Sequence, residues 1–298
     1  MLPDVVTPTR IPTHITIVGA GNLAQVLAPA LQEVGYSIDA VVVRDRAESR
    51  RRASALARKL RTRALPLNEA SPVSDSDIVW LCHTDDAITA TARLLAKRPG
   101  SRWKGKVVLH SSGALTSDAL APLRSLGASV ASLHPMMTFV PGAAYRLAKV
   151  PFAVEGDRRA IGVARQIAKA LQAEIFTIGK ESKVFYHALG SFSSPLLVAV
   201  LITAEQVARA AGLSVPQMKK TVRPLVQQTI QNYFEKGAAA AFSGPIRRGD
   251  VETVRRHLSH LSKIPEAREV YRALVHSALL HLPAKNQNAV RGLLKKAL

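Results

Sequence analysis

What most constrains this chain is a change of rhythm at Gly179. Before that glycine, short apolar runs alternate with helical segments of 10–15 residues; after it, only helical periodicity remains. Residues 14–18, 38–43, 78–82, 106–110, 129–132, 151–155 and 174–178 read as strands. Residues 23–34, 47–63, 86–97 and 159–171 read as helices between them; Ala53, Leu56, Ala57 and Leu60 fall on one buried face. Such alternation predicts a parallel sheet with right-handed crossovers, an α/β class. Residues 182–211 read as one helix of about 30 residues, spanning ~45 Å. Pro195 should kink it, and Gly212 should stop it. Ser214, Val215 and Pro216 look like the cap and first turn of a helix running to about Phe234. Residues 237–249 read as a loop, and Asp250 as the cap of the first of three final helices. The expected organisation is an α/β domain over residues 1–180 and an all-α domain over 181–298, built on the long interdomain helix.

Two domains also suit 298 residues. A hydrophobic fraction of 47% excludes a disordered or fibrous chain. The net charge of +20 is less ordinary, and it is clustered. Segment 44–63 holds nine basic and two acidic residues, segment 93–106 holds six basic residues and no acid, and 181–298 carries a further +10. Such a surplus suits nucleic acid, a membrane surface or a phosphorylated small molecule. Only 14 aromatic residues are present, without basic-aromatic interleaving, which argues against nucleic acid. Cys82 is the only cysteine, so neither an intrachain disulfide nor a multi-cysteine zinc site is possible. Residues 1–13 lack a basic region followed by an apolar core, so a cytoplasmic location is expected. Residues 188–204 carry no formal charge but contain Gly190 and Pro195 and run into Glu205 and Arg209. They are expected to form a buried helix rather than a membrane span.

The sequence Ile17-Val18-Gly19-Ala20-Gly21-Asn22-Leu23-Ala24 closes the first strand and opens the first helix. It fits the G-x-G-x-x-G/A fingerprint of dinucleotide binding in its Ala form. Gly19 permits the tight turn, Gly21 lets backbone approach a pyrophosphate, and Ala24 lets helix and strand pack closely. The second strand ends in Arg44-Asp45-Arg46, with Arg50, Arg51 and Arg52 one turn on. Arg44 and Arg46 suit a 2′-phosphate, so NADP is the expected cofactor. Asp45 is the competing signal for NAD, and a deazaflavin is a further alternative. His83 and Thr84 follow one buried strand, and Ser112 and Gly113 the next, at the edge where a cofactor would lie.

At this point the chain resembles a known family. Gly19 to Ala24, Asp85-Asp86-Ala87-Ile88, Ser112-Gly113, Leu133-His134-Pro135-Met136-Met137-Thr138-Phe139, Tyr186-His187-Ala188 and Ser243-Gly244-Pro245-Ile246-Arg247-Arg248-Gly249-Asp250 carry the likeness. They are similar to bacterial Rossmann-like, NADP-dependent oxidoreductases whose C-terminal helical domain has no assigned function. Relatives include pyrroline-5-carboxylate reductases, ketopantoate reductases and 3-hydroxyisobutyrate and 6-phosphogluconate dehydrogenases. The resemblance implies an N-terminal Rossmann dinucleotide-binding domain, a homodimer formed through the C-terminal domain, and an active site between domains. Two departures stand out. An Asn expected after Ser194 is replaced by Pro195, and the Lys/Asn pair that serves the dehydrogenases is not apparent.

His187, Ser191 and Ser194 share one face of the long helix. His187 could act as general acid, and the serines could bind a developing oxyanion. His134 lies in a loop after a strand, where binding residues concentrate. Arg248 could hold a substrate carboxylate. Each has a plainer reading: a packing histidine, a loop brace, a surface arginine. His257 and His260 read as surface residues, and no metal site is expected. The expectation is hydride transfer between NADPH and a small carbonyl or imine. The alternative is a nucleotide-binding protein without turnover.

Overall fold

The sheet dominates the first half. Its strands are β1 (His14–Val18), β2 (Ser37–Val43), β3 (Arg63–Pro66), β4 (Ile78–Leu81), β5 (Val107–His110), β6 (Ser129–Pro135), β7 (Pro151–Gly156) and β8 (Glu174–Thr177). They lie in the order β3-β2-β1-β4-β5-β6-β7-β8 in one sheet. The computed structural model describes residues 13–68, 75–143 and 145–296. The chain divides into two units, Met1–Ser191 and Phe192–Leu298.

Both faces of the sheet are covered, which explains why its central strands are continuously apolar. Ile15, Ile17, Ile78 and Trp80 pack on one side with α1 (Asn22–Glu33) and α2 (Ala47–Leu60). Val18, Val79 and Leu81 face the other way, onto α3 (Asp85–Ala96) and α4 (Ala121–Arg124). α5 (Arg158–Ala170) joins the first side through Ala160, Ala164 and Ile167.

The sheet departs from expectation in two ways. The basic helix stops at Leu60, Arg61 adopts a left-handed φ of 54°, and Arg63–Pro66 forms an edge strand. Its ends, an arginine and a proline, conceal it in the sequence, and proline is tolerated there because it is an edge. The second departure is that β6 and β7 pair antiparallel. Among its described residues the segment between them holds no helix, so no crossover carries the chain back for parallel pairing. Gly156 has φ 141° at the end of β7, and a Cβ there would run into the Val130 carbonyl.

The expected long helix is two helices, α6 (Lys183–Ser193) and α7 (Pro195–Ala210). Ser194 leaves helical geometry at φ −132°, ψ −81°, and Pro195 opens the next helix. A proline ring clashes with the preceding turn and disfavours helix at the residue before it. The division between units falls within α6, so Lys183, Tyr186 and His187 belong to the sheet unit.

The second unit continues with α8 (Val215–Lys236), α9 (Ala238–Ala241), α10 (Gly244–Arg248), α11 (Val251–His260), α12 (Pro265–His281) and α13 (Gln287–Lys296). Ser214 and Gln217 form a complete capping box on α8, and Asp250 caps α11. The loop expected over 237–249 is corrected to two short helical turns, the second opened by Pro245. The unit's core is small: Val254, Leu258, Val275, Leu279, Val290 and Leu294. The expected burial of residues 188–204 is also corrected. α7 has no buried residue: α8 and α12 pack against it and leave its apolar side chains partly or fully exposed.

Candidate functional site

β1, β4, β5 and β6 are parallel neighbours, so their carboxyl ends share one edge. That edge collects the glycine turn, His83, Ser112 and His134. Gly19 has φ 116°, and a Cβ on it would lie 2.6 Å from the Cys82 carbonyl oxygen. Only glycine fits. Gly21 is the N-cap of α1, with no side chain capping the helix and no acidic residue in its first turn. The free amides and the positive end of the helix dipole therefore make an anion cradle. Ala24 is fully buried, as close helix–strand packing requires.

The turn is held from outside. Nε of Arg52 donates to the Ala20 carbonyl at 3.1 Å, and its Nη2 to Oδ1 of Asn22 at 2.7 Å. Nδ2 of Asn22 donates to the Phe139 carbonyl at 3.0 Å. Arg52, grouped in the sequence with phosphate-seeking arginines, is thus a brace. Arg44 and Arg46 are exposed at the end of β2. Asp45, the NAD signal, pairs with Arg50 at 3.1 Å. Both partners are at least half exposed, so the pair adds little stability.

His83 sits against Gly19. Burial, assisted by the Arg44 charge, pushes its pKa down to about 4. Its Nε2 is buried without a hydrogen-bond partner. A buried polar atom normally finds one, so this nitrogen marks a place for a ligand group. The Thr84 hydroxyl is spent on Asp86 at the start of α3.

A second cluster lies at the ends of β5 and β6. A Cβ on Gly113 would lie 2.8 Å from Cδ2 of His187 and 3.0 Å from Nε2 of His134. Glycine there is what lets both imidazoles close in; their ring centroids are 6.4 Å apart. Nδ1 of His134 is 3.0 Å from the Tyr186 hydroxyl, with the rings edge to face. Burial, then the Lys183 charge, pushes the His134 pKa down to about 4, and burial raises that of Tyr186 to about 12. His187 stands exposed on α6.

Behind the histidines Lys183 is fully buried. Its Nζ donates to Oγ of Ser132 at 2.6 Å and to the Ser112 carbonyl at 3.1 Å. Ser132 donates to that same carbonyl at 3.0 Å. Burial lowers the amine's pKa to about 8, against the opposing pull of Glu155 and Asp85. His110 is buried too, accepting the Ser112 amide at Nδ1 and lying 3.1 Å from the Thr116 carbonyl through Nε2.

Sequence reasoning missed Lys183. It lies one turn before His187 on α6. The hydroxyl of Ser191 donates to the His187 carbonyl at 3.2 Å, so it is turned to the helix backbone. Ser194 and Arg248 belong to the second unit; Arg248 is exposed on α10. Among the described residues no three His, Cys, Asp or Glu side chains gather as a metal site.

Comparison with known proteins fits this architecture. Residues 3–135 match the Rossmann-like domain model, and residues 150–278 match a domain of unknown function, DUF2520. No curated protein matches the sequence. A proposed NADP oxidoreductase from Bacteroides fragilis is 23% identical, with a TM-score of 0.73 over 89% of this chain and 97% of that one. A reductive aminase from Aspergillus terreus, in complex with NADPH and ethyl-5-oxohexanoate, is 16% identical, with a TM-score of 0.63 over 94% and 99%. An imine reductase variant from Myxococcus stipitatus, in complex with NAD+, is 20% identical, with a TM-score of 0.60 over 96% and 99%. At such identities the likeness is one of fold. The chain is thus similar to a Rossmann-like domain over its first part and to DUF2520 over its second.

Proposed function

We propose that this protein is an NADP-dependent oxidoreductase acting on a small carbonyl or imine compound. The observation that carries the reading is the uncapped turn at Gly19–Gly21 with the orphaned Nε2 of His83 beside it. These residues fit a dinucleotide: the turn amides would hold its pyrophosphate, and Arg44 and Arg46 a 2′-phosphate. The two guanidinium groups on either side of Asp45, Arg44 and Arg46, favour NADP. When bound, the nicotinamide ring supplies or accepts the hydride. The solved relatives complexed with NADPH or NAD+ support a dinucleotide of this kind.

The chain's own residues handle the proton. His187, exposed beside Gly113, is the general acid. His134 is neutral at physiological pH, so its part is that of a hydrogen-bond donor. Tyr186, kept protonated, donates to Nδ1, which leaves the His134 proton on Nε2 facing Gly113. Lys183 fixes the Ser112 carbonyl and Ser132 and so sets the floor of the site. Ser191 is a secondary candidate for the oxyanion, and Ser194 and Arg248 for the substrate, Arg248 through a carboxylate.

The protein is a cytoplasmic homodimer in this reading. The run Lys180–Ala210 is long and apolar enough to cross a membrane, yet only 6% of its most apolar window is buried. Glu205 and Arg209 interrupt it, and a second copy of the chain would cover it. Phe192 and Phe234 are 72% and 80% exposed, as an unpaired dimer face would be.

A thermal-shift titration tests the cofactor. Saturation at 100 times Kd stabilises by about 2.7 kcal/mol. NADPH should raise Tm more than NADH at equal concentration. No shift with either overturns the reading.

A further inference from the structure

The second unit holds cations that the cofactor site leaves unused. Beside its small core, α12 and α13 border a cavity of about 440 Å3 lined by Arg272, His276, Arg291 and Lys295, with Glu269 as the one carboxylate. Arg272 and His276 are one turn apart on α12; Arg291 and Lys295 are one turn apart on α13. Arg291 and Lys295 are like charges, and at that spacing they destabilise an isolated helix. None of these side chains enters an ion pair among the described residues. Arg272 and Arg291 also tie α12 to α13; His276 and Lys295 are exposed and have no hydrogen bond among the described residues.

The two arginines are fixed crosswise. Nη2 of Arg272 donates to the Leu294 carbonyl of α13 at 2.8 Å, and Nη2 of Arg291 to the Leu279 carbonyl of α12 at 2.9 Å. Each guanidinium is thereby oriented while most of its five N–H donors stay free. Nε of both is buried with no partner, as is Nε of Arg268 one turn earlier. Rigid, under-satisfied guanidinium groups on the wall of a cavity form a preorganised receptor for a planar or tetrahedral oxyanion.

We infer that this cavity binds a compact small-molecule oxyanion carrying at least two negative charges, a phosphate type or a polycarboxylate. Arg272 and Arg291 supply the forks, and Lys295 and His276 add donors at the rim. The volume suits a small molecule. A nucleic-acid backbone would need an extended basic stripe instead.

The test is calorimetric titration of the full chain with pyrophosphate and, separately, citrate at fixed ionic strength. Three proteins are compared: the native chain, Arg44→Ala, and the double variant His276→Gln/Lys295→Gln. The double variant alters only exposed side chains with no hydrogen bond among the described residues, so it keeps the fold. Saturable binding is expected in the native chain and in Arg44→Ala, with affinity at least about tenfold weaker in the double variant. Arg291→Lys, which keeps the charge but removes the fork, should weaken it similarly. Binding of pyrophosphate alone or of citrate alone identifies the class. No saturable binding of either, or undiminished affinity in the double variant, overturns the inference. Loss confined to Arg44→Ala places the anion at the glycine turn and also overturns it.

Discussion

Nζ of Lys183 lies 2.6 Å from Oγ of Ser132, and no part of the lysine is exposed. The amine's pKa is lowered from 10.5 to about 8. Between those values the unfolded chain holds a proton that the folded chain has released. Stability therefore rises with pH through that window. Relative to Lys183→Met, the native chain should gain up to about 3 kcal/mol between pH 8 and 10.5. Chemical denaturation of both proteins across that range checks it; parallel curves would remove the buried charge from the account.

Gly113 admits two imidazoles at once, so Gly113→Ala must displace one of them. The added methyl meets Cδ2 of His187 and Nε2 of His134. Turnover should drop at least about tenfold, with a stability loss of about 1–3 kcal/mol. His187→Ala should lower kcat by about 100-fold or more, as loss of a general acid does. His134→Gln should be milder, because a neutral donor is replaced by another. Steady-state kinetics on any accepted substrate separates the three variants.

Two arginines near the turn should behave differently. Arg44→Ala should raise the Kd of NADPH by about 10-fold or more, the worth of a charge-assisted hydrogen bond, and leave NADH unchanged. Arg52→Ala should weaken both cofactors to the same degree, because it loosens the turn itself. Fluorescence titration with each nucleotide distinguishes a phosphate contact from a brace.

The exposed apolar helices predict an association state. Phe234→Glu places a charge on a side chain that is 80% exposed, so it cannot harm the monomer's core. Sedimentation velocity should show a dimer for the native chain and a shift toward monomer for the variant. A native monomer would contradict the proposed assembly.

Much of the first unit is legible locally. The runs at Ile15–Val18 and Val107–Leu109 are apolar throughout because the sheet is covered on both faces, and the glycine turn is written in eight consecutive residues. β3 is not legible, because Arg63 and Pro66 disguise a strand that needs only an edge. The reversal of β7 is set by the missing crossover rather than by any residue within it. Lys183 is the clearest omission. A lysine at a helix start looks solvated in sequence; here its partners, Ser132 and Ser112, lie 51 and 71 positions away. The exposed apolar surface of α7 reads as core in the sequence, because an apolar stretch does not say which chain buries it.

The clamp of Arg52 on Ala20 and Asn22 has a thermodynamic consequence. The backbone of the turn is ordered when the protein folds, not when a ligand arrives. The conformational entropy of the cradle is then already spent, and little remains to oppose association. Ligand uptake should resemble docking into a rigid mould: a single bimolecular phase, its rate proportional to ligand concentration, without a slower unimolecular rearrangement behind it.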